Sequence, residues 1–187
     1  MKALKVENRF ITLPDGRKLG YEDHGLKSGT AVFMFHGTPG SRIGGLVDSP
    51  LMKDFDVRII TPERPGYGIS DLLPNRTISD WPMDVKELAD QLGIHKFHVA
   101  GASGGGAFAL ACAIELPERL LSTTLISAAT PPEMREFSKG MSFGNKISFF
   151  FAKQMPFVLK LMQSQTAAYI NKYPDKFFEK MYPQLCD

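Results

Sequence analysis

Val99-Ala100-Gly101-Ala102-Ser103-Gly104-Gly105-Gly106 sets glycine two residues before and two residues after a serine. Phe97–Ala100 leading in is short and apolar and reads as a strand; Ala107–Leu116 leading out is alanine-rich and reads as a helix. A serine at the tip of so sharp a turn takes unfavourable backbone dihedrals. Strand and helix can close on it only if the positions two away lack bulk, and Gly101 and Gly105 meet that need. The hydroxyl then stands above the start of the helix, where the Gly104 amide and the positive helix end can stabilise an oxyanion. Glycine-rich turns also hold phosphates, but this one has no Walker-type lysine, and Gly101-x-x-Gly104 lacks the dinucleotide spacing. A tight turn that merely carries a serine is the competing reading.

Working outward, residues 5–13 and 18–24 read as strands joined by Pro14-Asp15-Gly16, where proline presets one dihedral and glycine accepts the left-handed one. Thr30–Phe35 is a continuous apolar run, expected for a strand buried on both faces, and Asp56–Thr61 is the next strand. A helix is predicted from Ser79 to Leu92, capped by Ser79 or Asp80, with Pro82 in its first turn and Gly93 at its end. Its buried face carries Val85, Leu88, Ala89 and Leu92. Leu120–Ala128 gives one more strand. Strands alternating with helices imply a mostly parallel α/β sheet with right-handed crossovers. Sites in such sheets lie at the carboxyl ends of the strands, where His36, Arg64 and Ser103 fall.

With these flanks the turn resembles the nucleophile elbow of the α/β-hydrolase family. Two further motifs carry the likeness, His36-Gly37-Thr38-Pro39 after the third strand and Arg64-Pro65-Gly66-Tyr67-Gly68-Ile69-Ser70-Asp71 after the fourth. The resemblance implies a mostly parallel sheet with antiparallel N-terminal strands, and catalysis by Ser103 through an acyl-enzyme. The amides of Thr38 and Gly104 would form the oxyanion hole, supported by His36, Gly37, Gly101 and Gly105. His36 would shape its loop rather than act as base; Arg64 and Asp71 would brace theirs. The substrate implied is a small ester or amide, with no metal or organic cofactor. Serine at the elbow speaks against the family's dehalogenases and epoxide hydrolases, which use aspartate there. Acyl transferases, peroxidases and aminopeptidases share the elbow and stay open.

From Pro131 the composition changes. Lys139, Lys146, Lys153, Lys160 and Lys172 lie in a stretch free of Asp and Glu, among Met141, Phe149-Phe150-Phe151, Met155 and Phe157. Residues 1–130 therefore read as the hydrolase core and 131–187 as an apolar helical lid, which would favour a substrate with a hydrophobic part. A basic amphipathic surface and ordinary core packing are the alternatives.

A serine needs a base within hydrogen-bond reach. The family supplies serine, acid and histidine in that order, yet His24, His36, His95 and His98 all precede Ser103. The resemblance thus spans part of a family member, with the last strands, the acid and the histidine missing. A truncated chain is the preferred explanation; a second chain supplying the rest, or a non-catalytic binding or regulatory relative, are the others. The 187-residue chain by itself is expected to be inactive.

The net charge of +2, with no long basic run, argues against a nucleic-acid partner. Cys112 and Cys186 form no disulfide framework and have no metal-ligand spacing. The N-terminus lacks a signal-peptide core and no apolar run reaches membrane-spanning length, so a soluble cytoplasmic protein is expected, away from membranes.

Overall fold

The computed structural model describes residues 6–45, 54–128, 139–177 and 179. The chain divides into two compact units, Met1–Thr130 and Pro131–Asp187. Pro131, Glu133, Glu136, Cys186 and the start of the first expected strand lie outside the described residues.

The first unit is built on six strands: β1 (Arg9–Thr12), β2 (Lys18–Gly25), β3 (Thr30–Phe35), β4 (Val57–Pro62), β5 (Phe97–Ala102) and β6 (Leu120–Ile126). They lie in the order β1-β2-β4-β3-β5-β6. β1 pairs antiparallel with β2 and β2 with β4; the β4–β3, β3–β5 and β5–β6 pairs are parallel. The sheet is thus mostly parallel with antiparallel N-terminal strands, as its motifs imply. The β1–β2 turn follows its sequence: Gly16 has φ +87°, and its N–H donates to Leu13 O at 2.9 Å.

Two helices of this unit, α1 (Trp81–Gln91) and α2 (Gly106–Glu115), contribute to one core with the sheet. Trp81, Val85, Leu88 and Ala89 of α1 and Phe108, Ala109 and Cys112 of α2 pack with Phe33, Phe35, Ile60, Phe97 and Val99. Trp81 stands edge-on to both Phe35 (5.5 Å) and Phe108 (6.0 Å). Each such ring buried adds about 1.5–3 kcal/mol.

Strand ends differ from the sequence reading by a few residues, with 6–8 preceding β1 and 127–128 following β6, and two further differences concern burial and the start of a helix. β3 is not buried on both faces: Ala31, Phe33 and Phe35 are, whereas Val32 and Met34 are half-buried. The described helices α1 and α2 share the core on the Phe33 side, and Ile59 and His98, register partners of Val32, are likewise half-buried. α1 begins at Trp81, not Ser79, because Ile78–Asp80 forms a 3₁₀ turn whose Asp80 carboxylate accepts from Thr77 N at 2.6 Å and Thr77 Oγ1 at 2.9 Å.

In the second unit α3 (Phe143–Gln154) and α4 (Pro156–Lys172) follow one another directly. Ser142 caps α3, its hydroxyl accepting from Asn145 N at 3.3 Å, and Pro156 opens α4, where its missing N–H costs nothing. Neither helix has a buried residue, and Phe143, Phe150, Phe157 and Leu161 are exposed.

Candidate active site

β5 runs straight into the turn that holds Ser103. Ala102 is extended (φ −95°, ψ 136°), Ser103 takes φ +49°, and Ser103–Gly105 make one 3₁₀ turn before α2 begins at Gly106. A left-handed φ on a non-glycine residue is strained, and such residues collect at functional sites. Packing enforces the strain. A Cβ on Gly101 would lie 2.4 Å from Gly105 O, and one on Gly105 would lie 2.3 Å from Phe35 O. The side chain of Ser103 is exposed while Gly101 and Gly105 are buried.

The loop after β3 comes to the same place. A Cβ on Gly37 would sit 3.3 Å from Ser103 Cβ and 3.8 Å from Ser103 Oγ. One on Gly104 would sit 3.0 Å from Thr38 Oγ1 and 3.5 Å from Thr38 N. The structure therefore brings Ser103, Gly104, Gly37 and Thr38 together at the carboxyl ends of β3 and β5.

His36 is 7% exposed and fully engaged. Its Nδ1 lies 2.9 Å from Gly37 O, and its Nε2 accepts a long 3.4 Å bond from Arg64 N, which assigns the proton to Nδ1. Burial, helped by the Arg64 charge, lowers its pKa to about 4. It is neutral at pH 7 and has no free ring nitrogen to serve as a base. The other histidines are dispersed. His24 Nε2, on β2, lies 3.4 Å from Glu22 Oε2; His95 is exposed after α1; His98 Nδ1 meets Ser122 Oγ at 2.7 Å between β5 and β6.

Arg64 and Asp71 brace their loop, each to a different neighbour. Asp71 Oδ2 accepts from Lys18 N at 2.7 Å, and Asp71 N donates to Lys18 O at 2.9 Å, tying the loop to β2. Arg64, 1% exposed, donates from Nη2 to Gly37 O (2.9 Å) and Thr38 Oγ1 (3.0 Å), and from Nη1 to His36 O. Its guanidinium lies over the rings of Tyr67 (5.0 Å) and Phe108 (4.8 Å).

Sequence reasoning missed the buried ionic pin at the end of the same loop. Arg42 is 3% exposed; its Nη1 donates to Glu63 Oε2 at 2.9 Å, its Nε to Glu22 Oε1 at 3.2 Å and its Nη2 to Asn8 Oδ1 at 3.0 Å. Glu63 also accepts from Arg42 N and Ile69 N, at 3.3 and 2.8 Å. Two buried carboxylates thus share one guanidinium, which fixes the loop from beneath. The only signal was the order of charges around proline and glycine in Pro62-Glu63-Arg64-Pro65-Gly66.

Burial raises the Cys112 thiol to about 12 and removes its nucleophilic character. Among the described residues no cluster of three or more His, Cys, Asp or Glu is placed to hold a metal, and no helix is long and apolar enough to cross a membrane.

Residues 30–159 match the model of the alpha/beta hydrolase fold family. The chain belongs to that family. Among similar α/β-hydrolases are 3-oxoadipate enol-lactonase 1 of Acinetobacter baylyi, 28% identical over 67% of this chain and 47% of its own length. The uncharacterised hydrolase YcgS of Bacillus subtilis is 29% identical over 91% of this chain and 57% of its own. An esterase from Exiguobacterium antarcticum superposes with a TM-score of 0.61 at 27% identity, covering 83% of this chain and 60% of that structure. This α/β-hydrolase chain spans about half the length of the two curated relatives.

Proposed function

We propose that this sequence carries the nucleophile and oxyanion hole of a serine hydrolase acting on small, hydrophobic esters or amides. Ser103 Oγ attacks the carbonyl carbon, the amides of Thr38 and Gly104 receive the developing oxyanion, and loss of the alcohol or amine leaves an acyl-enzyme for water to cleave. The observation that carries this reading is the φ of +49° at an exposed serine, held between two glycines that tolerate no side chain. The α3–α4 unit would serve as a lid; its exposed Phe143, Phe150, Phe157 and Leu161 support a hydrophobic acyl or alcohol group.

Residues 104–187 contain no histidine, and His36 has both nitrogens engaged. In this reading no histidine of the sequence serves Ser103 as its base, so the chain alone hydrolyses esters slower than a complete triad by a factor on the order of 10⁴–10⁶. Imidazole in solution can stand in for the base, accepting the Ser103 proton as Oγ attacks. A fluorophosphonate with added imidazole is expected to phosphonylate Ser103, with loss of fluoride, and to leave Ser103→Ala unmodified by peptide mass spectrometry. A folded chain that stays unlabelled, or is labelled elsewhere, refutes the assignment. Saturable binding of a hydrophobic ester without labelling would favour a non-catalytic binding protein.

A further inference from the structure

The Gly37–Thr38 peptide is held by its carbonyl. Gly37 O accepts from Arg64 Nη2 and lies within hydrogen-bond distance of the protonated His36 Nδ1, both at 2.9 Å. The same Nη2 reaches Thr38 Oγ1 at 3.0 Å, and Nη1 reaches His36 O, so one buried guanidinium spans three consecutive residues of the loop. This peptide is trans, the cis bond of the loop being the next one, Thr38–Pro39. In a planar trans peptide the C=O and the following N–H point in opposite directions. Turning Gly37 O towards Arg64 therefore turns the Thr38 N–H away from it. Ser103 and Gly104 lie close by: a Cβ on Gly37 would come 3.3 Å from Ser103 Cβ, and one on Gly104 would come 3.5 Å from Thr38 N.

Glycine at 37 makes this arrangement both possible and vulnerable. A Cβ there would press on Ser103, yet without one the peptide plane is cheap to rotate. A rotation of about half a turn would present a carbonyl oxygen where an N–H donor is needed. A charged donor on the carbonyl opposes that rotation and polarises the amide, strengthening its N–H as a donor. Arg64 is 1% exposed, so it does this without meeting the substrate.

We propose that Arg64 is a positioning residue for the oxyanion hole, fixing the Gly37–Thr38 peptide so that the Thr38 N–H faces the carbonyl under attack at Ser103. This rests on the reading of Ser103 as nucleophile, and one titration separates the two. Phenylboronic acid, added with imidazole to the full 187-residue chain, is expected to form a tetrahedral adduct with Ser103 Oγ, whose proton passes to the imidazole; the adduct is seen by ¹¹B NMR and lost in Ser103→Ala. No adduct on the folded chain refutes the reading of Ser103, and the inference falls with it. If the adduct forms, Arg64→Gln is expected to weaken boronate affinity by about 10²–10³-fold, the range for losing one oxyanion-hole donor. Arg64→Lys keeps the charge but cannot reach three acceptors in one plane, and should fall between. The Thr38 amide resonance should move in both variants while that of Gly104 stays. A merely structural arginine would lower the melting temperature and leave boronate affinity at the unaltered level; that result in either folded variant overturns the inference. Should the glutamine variant fail to fold, the lysine variant decides.

Discussion

Protonating His36 should destabilise the fold, and the size of the effect follows from its surroundings. The ring is 7% exposed, burial and the Arg64 charge lower its pKa from 6.5 to about 4, and the bond to Gly37 O opposes them only partly. Between those two values the unfolded chain binds a proton that the folded chain does not, so stability rises with pH across the window. The stabilisation is fully present above about pH 6.5 and is lost as pH falls towards 4. Its size is about 3 kcal/mol, a large share of the stability of a domain this small. His36→Asn provides the control, since asparagine can offer an N–H to Gly37 O but cannot be protonated. Urea unfolding at pH 7, 6, 5 and 4 can be followed by the fluorescence of Trp81, the sole tryptophan, which is buried in the core. The unaltered chain should lose about 3 kcal/mol more than the variant between pH 6.5 and 4, the titration of shared carboxylates cancelling. Equal losses in the two proteins would refute the assignment of His36 as a buried neutral ring.

Other substitutions probe the framework. Gly101→Ala or Gly105→Ala should cost about 1–3 kcal/mol or more, because each new Cβ meets backbone oxygen at 2.4 or 2.3 Å; thermal melts should show both well below Gly16→Ala, which meets nothing within 4 Å and is strained only by its φ of +87°. Arg42→Met leaves Glu22 and Glu63 buried without their shared cation and should destabilise by about 3–5 kcal/mol in urea; a loss under 1 kcal/mol would mean that the pin contributes little. Arg17→Met should cost less than Arg42→Met by the same assay, since it leaves one buried carboxylate, Asp84, without its cation where Arg42→Met leaves two. In p-nitrophenyl acetate hydrolysis the 187-residue chain should show only a trace of Ser103-dependent turnover; an ordinary enzymatic rate lost in Ser103→Ala would contradict the reading that none of its histidines serves Ser103 as base.

The strand–turn–helix around Ser103 was legible because glycines at fixed offsets report a backbone constraint directly. β3, β4 and β5 were legible because short apolar runs ending in glycine or proline leave few other conformations. For His36 it was the family resemblance, not the residues themselves, that implied a part in shaping the loop; in the fold its Nδ1 lies 2.9 Å from Gly37 O. What stayed hidden depends on distance in the chain. Arg42 meets Glu22 and Glu63 across separations of about twenty residues, and no local pattern encodes which carboxylate a buried guanidinium will find. The half-buried face of β3 was hidden for a related reason: an apolar run such as Thr30–Phe35 fits either face being covered, and which face the helices take is decided by β–α packing. Arg64 was read as a brace, but its three acceptors lie on another loop and only the folded chain shows them together.

The central claim is that the amides of residues 38 and 104 converge on the oxygen that Ser103 would create. It is tested most directly by ¹H–¹⁵N NMR of the chain before and after phosphonylation of Ser103, which leaves a phosphoryl oxygen standing in for the oxyanion. The Thr38 and Gly104 amide protons should move downfield together, each by more than any other amide in the β3 and β5 loops. An adduct on Ser103 that shifts neither of them would contradict it.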